Sequence, residues 1–259
     1  MKYFNLTHRP VDWTVPAIME RVSTVPVGEG VTDLSERYPH LRGRGPELSE
    51  YATLFAIRRL LQESWPDGTP PEDETMVGIS HYRRYAVTEP VGKPSFVYGL
   101  VTPQEFERLP DRLFVPPPRT ILMPAPFDLG MPVVSQYGVA HVTRDLLHFM
   151  GIAVDLGVVD DRSVAHFLGQ NVMIAAPTTG VFPAEWLVLV LEALESVVDA
   201  FEATVAVPHE GYQRRALGFC CERLHSLLTA SLVARWSEDS LIATRPVVVS
   251  DEDTYTDGG

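Results

Sequence analysis

Hydrophobic positions fall into short runs separated by polar, proline- and glycine-marked breaks. Lys2 to Leu6 is a compact apolar run that stops at Thr7-His8-Arg9-Pro10, the pattern of a strand entering a loop. A second short strand is predicted over Ser23 to Val27, and Gly28 to Pro46, with Arg42-Gly43-Arg44-Gly45, reads as loop. From Glu47 to Glu63 the period changes. Leu48, Tyr51, Leu54, Phe55, Arg58 and Leu61 recur every three or four residues, which predicts a helix stopped by Pro66 and Gly68 and followed by an acidic loop from Pro70 to Glu74. Met76 to Ser80 is strand-like, residues 86 to 100 read as irregular, and Arg119 to Met123 is another strand. Thr102 heads a short helix to Leu109, with Pro103 in its first turn and Glu105 placed to close a capping box.

The second half is richer in helical periods. Helices are predicted over Val133 to Met150, Arg162 to Leu168 behind an Asp160-Asp161 cap, Pro183 to Ala203, and Gly211 to Trp236. In the last of these, Leu217, Cys221, Leu224, Leu228 and Leu232 form the apolar stripe. Strands are predicted over Asn171 to Ala176 and Leu241 to Val249, and the acidic tail, residues 250 to 259, reads as frayed. Short strands alternating with helices predict an α/β fold with a mostly parallel sheet. With no repeat and no linker, residues 1 to 249 read as one domain.

Charge narrows the function classes. The 21 Lys and Arg against 34 Asp and Glu leave −13, which argues against nucleic acid as partner, because phosphate neutralisation needs a basic face. A small basic pocket inside an acidic shell remains compatible with it. The only cysteines, Cys220 and Cys221, are adjacent, so they build neither a disulfide framework nor a zinc knuckle. No run approaches the ~20 apolar residues of a membrane span, and no signal peptide opens the sequence, so a cytoplasmic protein is expected. P-loop, dinucleotide and nucleophile-elbow motifs are absent from the sequence. Its Asp-x-Asp, Asp251 and Asp253, falls in the tail, so no metal site is predicted, and Mg²⁺ or Mn²⁺ use stays open.

Four groups of residues could carry chemistry. His81-Tyr82-Arg83-Arg84-Tyr85 directly follows a strand, where open α/β sheets bind ligands. Its arginines suit phosphate or carboxylate, or else pair with nearby acids. Adjacent residues leaving a strand point opposite ways, so one of the two is expected to face away. Tyr137, His141 and Asp145 stand at i, i+4 and i+8 of the helix predicted from Val133, so they share a face. They then form either an oriented base or a structural His–Asp pair. Arg215, Gly218 and Glu222 line another helix face, off the apolar stripe. A helix-interior glycine costs about 1 kcal/mol against alanine, which implies close approach by a ligand or another helix. Arg214 and Arg223 read as salt-bridging, and Glu222 stays open. Glu47 and Glu50 open the first long helix, and the macrodipole is reason enough for Glu47.

Taken together these blocks resemble a family. Val77-Gly78-Ile79-Ser80-His81-Tyr82-Arg83-Arg84-Tyr85 resembles the His-Tyr-Arg-Arg-Tyr hallmark of bacterial capsular polysaccharide biosynthesis and glycosyltransferase-like proteins, some of which resemble galactofuranosyltransferases. Five more blocks match in order: Thr7-His8-Arg9; Glu50 with Leu54-Phe55; Tyr137, His141 and Asp145-Leu146; Asn171 to Ile174; and Arg215-x-x-Gly218-Phe219-x-x-Glu222-Arg223-Leu224. Two features depart from the pattern. An Asp-Asn-Ile-Ser run before Glu50 is replaced by Arg42-Gly43-Arg44-Gly45, and an aromatic-rich stretch is reduced to Phe55-Ala56.

The resemblance implies a GT-A-like nucleotide-binding sheet with a helix-rich C-terminal half. It implies glycosyl transfer from a nucleotide-sugar donor to a glycan, glycolipid or small-molecule hydroxyl, with peripheral association with a membrane biosynthetic complex. In that setting Arg83, Arg84 and Arg215 form a clamp for the leaving diphosphate in place of a metal, beside His8, His81, Tyr82 and Tyr85. Asp145, with His141 beside it, is the first candidate for the base, and Glu222 the second. Glu50, Tyr137 and Asn171 bind substrate. The competing readings are a sugar-phosphate or nucleotidyl transferase using the same arginines, and a non-catalytic binding partner of a biosynthetic complex.

Overall fold

Lys2–Leu6 (β1), Glu20–Ser23 (β2), Thr32–Asp33 (β3) and Met76–His81 (β4) start the sheet in the computed structural model, which describes residues 1–65, 68–71, 75–204 and 210–251. Pro66, most of the acidic loop and the tail beyond Asp251 lie outside the described residues. The remaining strands are Arg84–Tyr85 (β5), Lys93–Ser95 (β6), Tyr98–Val101 (β7), Ile121–Pro124 (β8), Pro126–Asp128 (β9), Val172–Ile174 (β10), Gly180–Pro183 (β11), Leu241–Thr244 (β12) and Val247–Val249 (β13). The helices are Gly45–Leu48 (α1), Tyr51–Ser64 (α2), Pro103–Phe106 (α3), Val133–Ala140 (α4), Thr143–Asp155 (α5), Asp161–Gly169 (α6), Ala184–Thr204 (α7) and Ala216–Val233 (α8).

The main sheet runs β3-β2-β1-β4-β11-β8-β12, and β11 alone is antiparallel to its neighbours. At the end of β4 the chain turns through Tyr82-Arg83 into β5, which starts a side branch β5-β13-β7-β6. Every residue of β4 is buried, as a central strand requires. Alternation sorts the two faces. Phe4, Leu6, Val77, Ile79, Ile121, Met123 and Phe182 join the large core with α2, α7 and α8. Tyr3, Met76, Leu122 and Val181 join a smaller core with Val247, Phe106 and Phe114.

Several elements differ from the periodicity. The helix predicted from Glu47 is two helices, because Ser49 adopts φ 55 and ψ −133 and breaks it. The helix from Val133 breaks at His141, which is extended at φ −132 and ψ 167, and the next two residues are β-branched Val142 and Thr143. Residues 86 to 100 hold the β6–β7 hairpin, and Arg245-Pro246 splits the last predicted strand in two. The second strand lies at residues 20 to 23, earlier than the apolar run. Both predicted caps are present: Thr102 and Glu105 form a capping box, and Asp160 accepts from the Ser163 N–H at 2.9 Å. Among the described residues no helix is long and apolar enough to cross a membrane.

Candidate functional site

Three parallel strands end at the same edge, and their exits make a cavity of about 500 Å³. Thr7 and His8 leave β1, Thr24 and Val25 leave β2, and Tyr82, Arg83 and Arg84 leave β4. Gly45, Pro46, Ser49, Glu50, Thr53 and Arg215 complete the wall. A second cavity of about 320 Å³ lies beside it. Its walls are the β6–β7 hairpin (Phe96, Val97, Tyr98), Phe127 and Leu129, the α4 residues Gln136 and Tyr137 with His141, and the α8 face from Arg215 through Gly218 to Glu222. Ser49, Glu50, Arg84 and Arg215 line both cavities. Both volumes fall in the usual range for small-molecule sites.

Both hairpin arginines face the first cavity, contrary to the alternation argument. Tyr82 and Arg83 form the turn between paired His81 and Arg84, so the two-residue period of a strand does not govern them. Arg84 also reaches the second cavity and lies over the Tyr98 ring at 5.7 Å. Arg215 stands at the start of α8, over Phe219 at 5.5 Å and Tyr212 at 5.9 Å. Tyr82 is held edge-on by His8 at 4.9 Å and covered by the Arg9 guanidinium at 4.8 Å.

Glu50 caps no helix with its side chain, so its carboxylate is turned to the junction of the cavities. Burial pushes that carboxyl up, yet His81 while it is protonated, a hydrogen bond from Ser49 and the Arg84 charge hold it below the usual range. His81 is driven down to about 4, mainly by burial, so it is neutral at pH 7, and Arg84 is the lasting positive neighbour of Glu50. Glu222 behaves the opposite way. Burial, with Glu50 nearby, pushes it above the usual range although Arg223 pairs with its Oε2 at 2.6 Å. Its Oε1 accepts from the Ala176 N–H at 3.3 Å. Two carboxyls whose surroundings push their proton affinities apart lie at one site.

The second cavity is furnished by aromatic rings. His141 stacks on Tyr212 at 5.1 Å and 8°, and packs against Phe219 at 4.5 Å. The Gln213 amide donates to the Ala140 carbonyl at 2.7 Å, which turns its oxygen toward His141 Nδ1 at 3.3 Å. Tyr137 is 1% exposed, with its hydroxyl near Cys220 Sγ at 3.2 Å. Gly218 sits where a Cβ would come within 3.2 Å of the Leu48 carbonyl, so the close approach inferred for it is to α1. Arg214 pairs with Glu47 at 2.6 Å, and Arg223 with Glu222, as salt-bridging residues.

Three predicted site residues are not brought to these cavities. Tyr85 is fully buried, donates to the Tyr82 carbonyl at 2.8 Å, and packs on Phe106 at 4.4 Å, so it is core. Asp145 is buried in the first turn of α5, beyond the helix break at His141, and lines neither cavity, although it stays close enough to Tyr137 and His141 to raise the proton affinity of both. Asn171 is exposed, and its backbone carbonyl serves the Leu129 N–H at 2.8 Å. Sequence reasoning also missed residues that are present. Thr178, which lines neither cavity but bonds to His81 and Glu50, carries no periodic signal, whereas Tyr212 and Phe219, spaced three before and four after Arg215, line the second cavity and could have been found. Among the described residues, no three His, Cys, Asp or Glu side chains are grouped to hold a metal ion.

No known family's sequence profile matches the chain, and no curated protein matches it in sequence. Its fold is similar to that of a solved structure, the bifunctional glycosyltransferase WbbM in its apo form, with a TM-score of 0.74 at 15% identity. The match covers 98% of this chain and 46% of that one, so this chain spans about half the length of that protein. The architecture is thus an α/β, GT-A-like fold with a mostly parallel sheet.

Proposed function

We propose that this chain is a glycosyltransferase that moves a sugar from a nucleoside diphosphate donor to a hydroxyl acceptor. One observation carries the reading. In a chain of net charge −13, Arg83, Arg84 and Arg215 converge on a cavity at the exits of three parallel strands, with Glu50 its one carboxylate among the described residues. Fixed guanidinium groups there suit a diphosphate in the ground state and the charge that develops on it as it leaves. The sequence resemblance adds a hexosyl or galactofuranosyl-type donor and bacterial polysaccharide or glycoconjugate assembly as the setting.

In this reading the nucleotide occupies the first cavity, beside His8, Tyr82 and Thr24, and the acceptor occupies the second, among Tyr98, Phe127, Tyr212 and Phe219. The reacting carbon lies at the junction, by Glu50, Arg84 and Arg215. The acceptor oxygen forms the new bond to that carbon as its proton passes to Glu222. The bond from carbon to phosphate oxygen breaks, and its electron pair goes to the diphosphate held by the arginines. Glu222 fits the base because burial raises its proton affinity above that of an ordinary carboxylate, which favours uptake of the acceptor proton. It replaces Asp145, which lines neither cavity. The ionised Glu50 faces the positive charge that develops on the sugar ring.

The test is thermal shift and turnover against a panel of nucleotide sugars, with and without Mg²⁺. A nucleotide at ~100 times its dissociation constant adds about 2.7 kcal/mol of stability. Stabilisation by one nucleotide class, loss of it in Arg83→Ala and Arg215→Ala, and release of nucleoside diphosphate are the expected results. Release of pyrophosphate instead would assign a nucleotidyl transferase, and binding without turnover a non-catalytic partner. Wild-type turnover in the arginine variants would refute the clamp.

A further inference from the structure

We propose that Thr178 is a positioning residue, whose hydroxyl bridges His81 and Glu50 and holds the Glu50 carboxylate at the junction of the two cavities. Thr178 is 1% exposed and lies between β10 and β11, far in sequence from both partners. Its Oγ1 stands 3.1 Å from His81 Nε2 and donates to Glu50 Oε1 at 3.4 Å. His81 Nε2 itself is 3.8 Å from Glu50 Oε1, beyond a direct hydrogen bond, so the hydroxyl is the link.

A hydroxyl has one proton, and this fixes the direction of the chain. If Thr178 donates to Glu50, it can only accept from His81. The imidazole is then the neutral tautomer with its proton on Nε2. The reverse direction would leave Glu50 without this donor and set an ionised oxygen beside two acceptors. The bridge therefore selects one His81 tautomer and adds a donor to the ionised carboxylate.

The same turn grips the other carboxylate. Ala176 donates its N–H to Glu222, and does so from φ 47, a left-handed conformation that a non-glycine residue adopts at a cost. The turn is closed by the Thr179 N–H on the Ala176 carbonyl at 2.9 Å. One segment, residues 176 to 179, thus holds both Glu50, just before α2, and Glu222 on α8. The groups that face Glu50 are His81 and Arg84 on the β4–β5 hairpin, His8 after β1, Ser49 and Tyr51 beside it, and Cys221, Glu222 and His225 on α8, with Arg215 at the same junction. Only the catalytic consequence rests on the glycosyl-transfer reading. The bridge is a property of the folded chain.

The experiment has two arms. In the first, long-range ¹H–¹⁵N correlation spectra of histidine-labelled wild-type protein report the His81 tautomer without any substrate. A proton on Nε2 supports the bridge, and a proton on Nδ1 overturns it even if no variant folds. In the second arm, Thr178→Val removes the hydroxyl at nearly constant volume and Thr178→Ser retains it. Thr178→Val is expected to raise the Glu50 titration, followed by carboxyl ¹³C shifts, by about one pH unit, because a donor to the charged form is lost. It also lowers kcat about tenfold at a KM for donor within twofold, and Thr178→Ser restores both. Equal impairment in the two variants, or an unmoved Glu50 titration, would refute the role. If the wild-type protein turns over no nucleotide sugar, the transferase reading fails while the two titrations still decide the bridge.

Discussion

Replacing Gly218 by alanine sets two known effects against each other. In a helix interior the change favours folding by about 1 kcal/mol. At this position the new Cβ meets the Leu48 carbonyl carbon and oxygen and the Ser49 Cβ, each at 3.2 Å, where ordinary contact begins near 3.4 Å. Something must move by a few tenths of an ångström. The helix cannot yield easily, because Cys220, Cys221 and Leu224 on its other faces are all fully buried. The neighbours that must yield are the Leu48 backbone carbonyl and the Cβ of Ser49, a residue already held at φ 55. Overpacking of this kind costs about 1–3 kcal/mol, so a net loss of about 1 kcal/mol is expected, or roughly 2–4 °C in Tm. Ser49 directly precedes Glu50, so the shift also displaces the carboxylate, and kcat should fall about tenfold, given that ~1 Å of misplacement can cost a hundredfold. Gly151→Ala is the control. It lies within α5 with nothing within 4 Å of its would-be Cβ, and should gain up to about 1 kcal/mol with unchanged turnover. Urea unfolding and nucleotide-sugar turnover on both variants decide the matter. If Gly218→Ala is stabilised like Gly151→Ala and keeps full activity, the close approach does not position Glu50.

Two further outcomes follow from single residues. His225 is fully buried, with Nδ1 beside the Tyr51 hydroxyl at 3.3 Å, and burial pushes it down to about 3 from an ordinary value of 6.5. Below pH 6.5 the unfolded chain binds a proton that the folded chain refuses, so stability is lost as pH falls toward 3, by about 3 kcal/mol between pH 7 and pH 4 from this group. His225→Leu should flatten that acid limb in urea titrations at pH 7, 5.5 and 4, and an unchanged slope would show that the group is already solvated. Thr102→Ala breaks a box in which Glu105 Oε2 accepts from the Thr102 N–H at 2.8 Å, and should cost about 1 kcal/mol in urea unfolding. Adding Glu105→Ala should cost less than it does alone, since the two bonds depend on each other.

Much of the site could be read in the sequence as residue types, and less of it as arrangement. Arg83 and Arg84 were legible because a basic pair after a strand stands out in an acidic chain, and Arg215 and Glu222 because they line a helix face off the apolar stripe. Asp145 was misplaced for a local reason. Periodicity ran the helix through His141, whereas the chain is extended there, so Asp145 opens a new helix and lines neither cavity. The same holds for Glu50, whose carboxylate reaches the cavities because Ser49 interrupts the helix before it. Tyr85 shows the converse, a residue inside the strongest motif that is buried against Phe106 and Phe114.

Composition, period and capping residues alone determined that this is an α/β chain and that its apolar stripe on the last long helix runs from Leu217 to Leu232. Those properties depend on neighbours three or four residues apart, so the sequence contains them. The pairing of β1 with β4 across some seventy residues, the merging of two cavities at Glu50, and the meeting of Thr178 with His81 were decided by tertiary structure. Each depends on which strand exits share an edge and on how closely a glycine lets two helices approach. Such contacts join distant segments through packing and register, which no local pattern records.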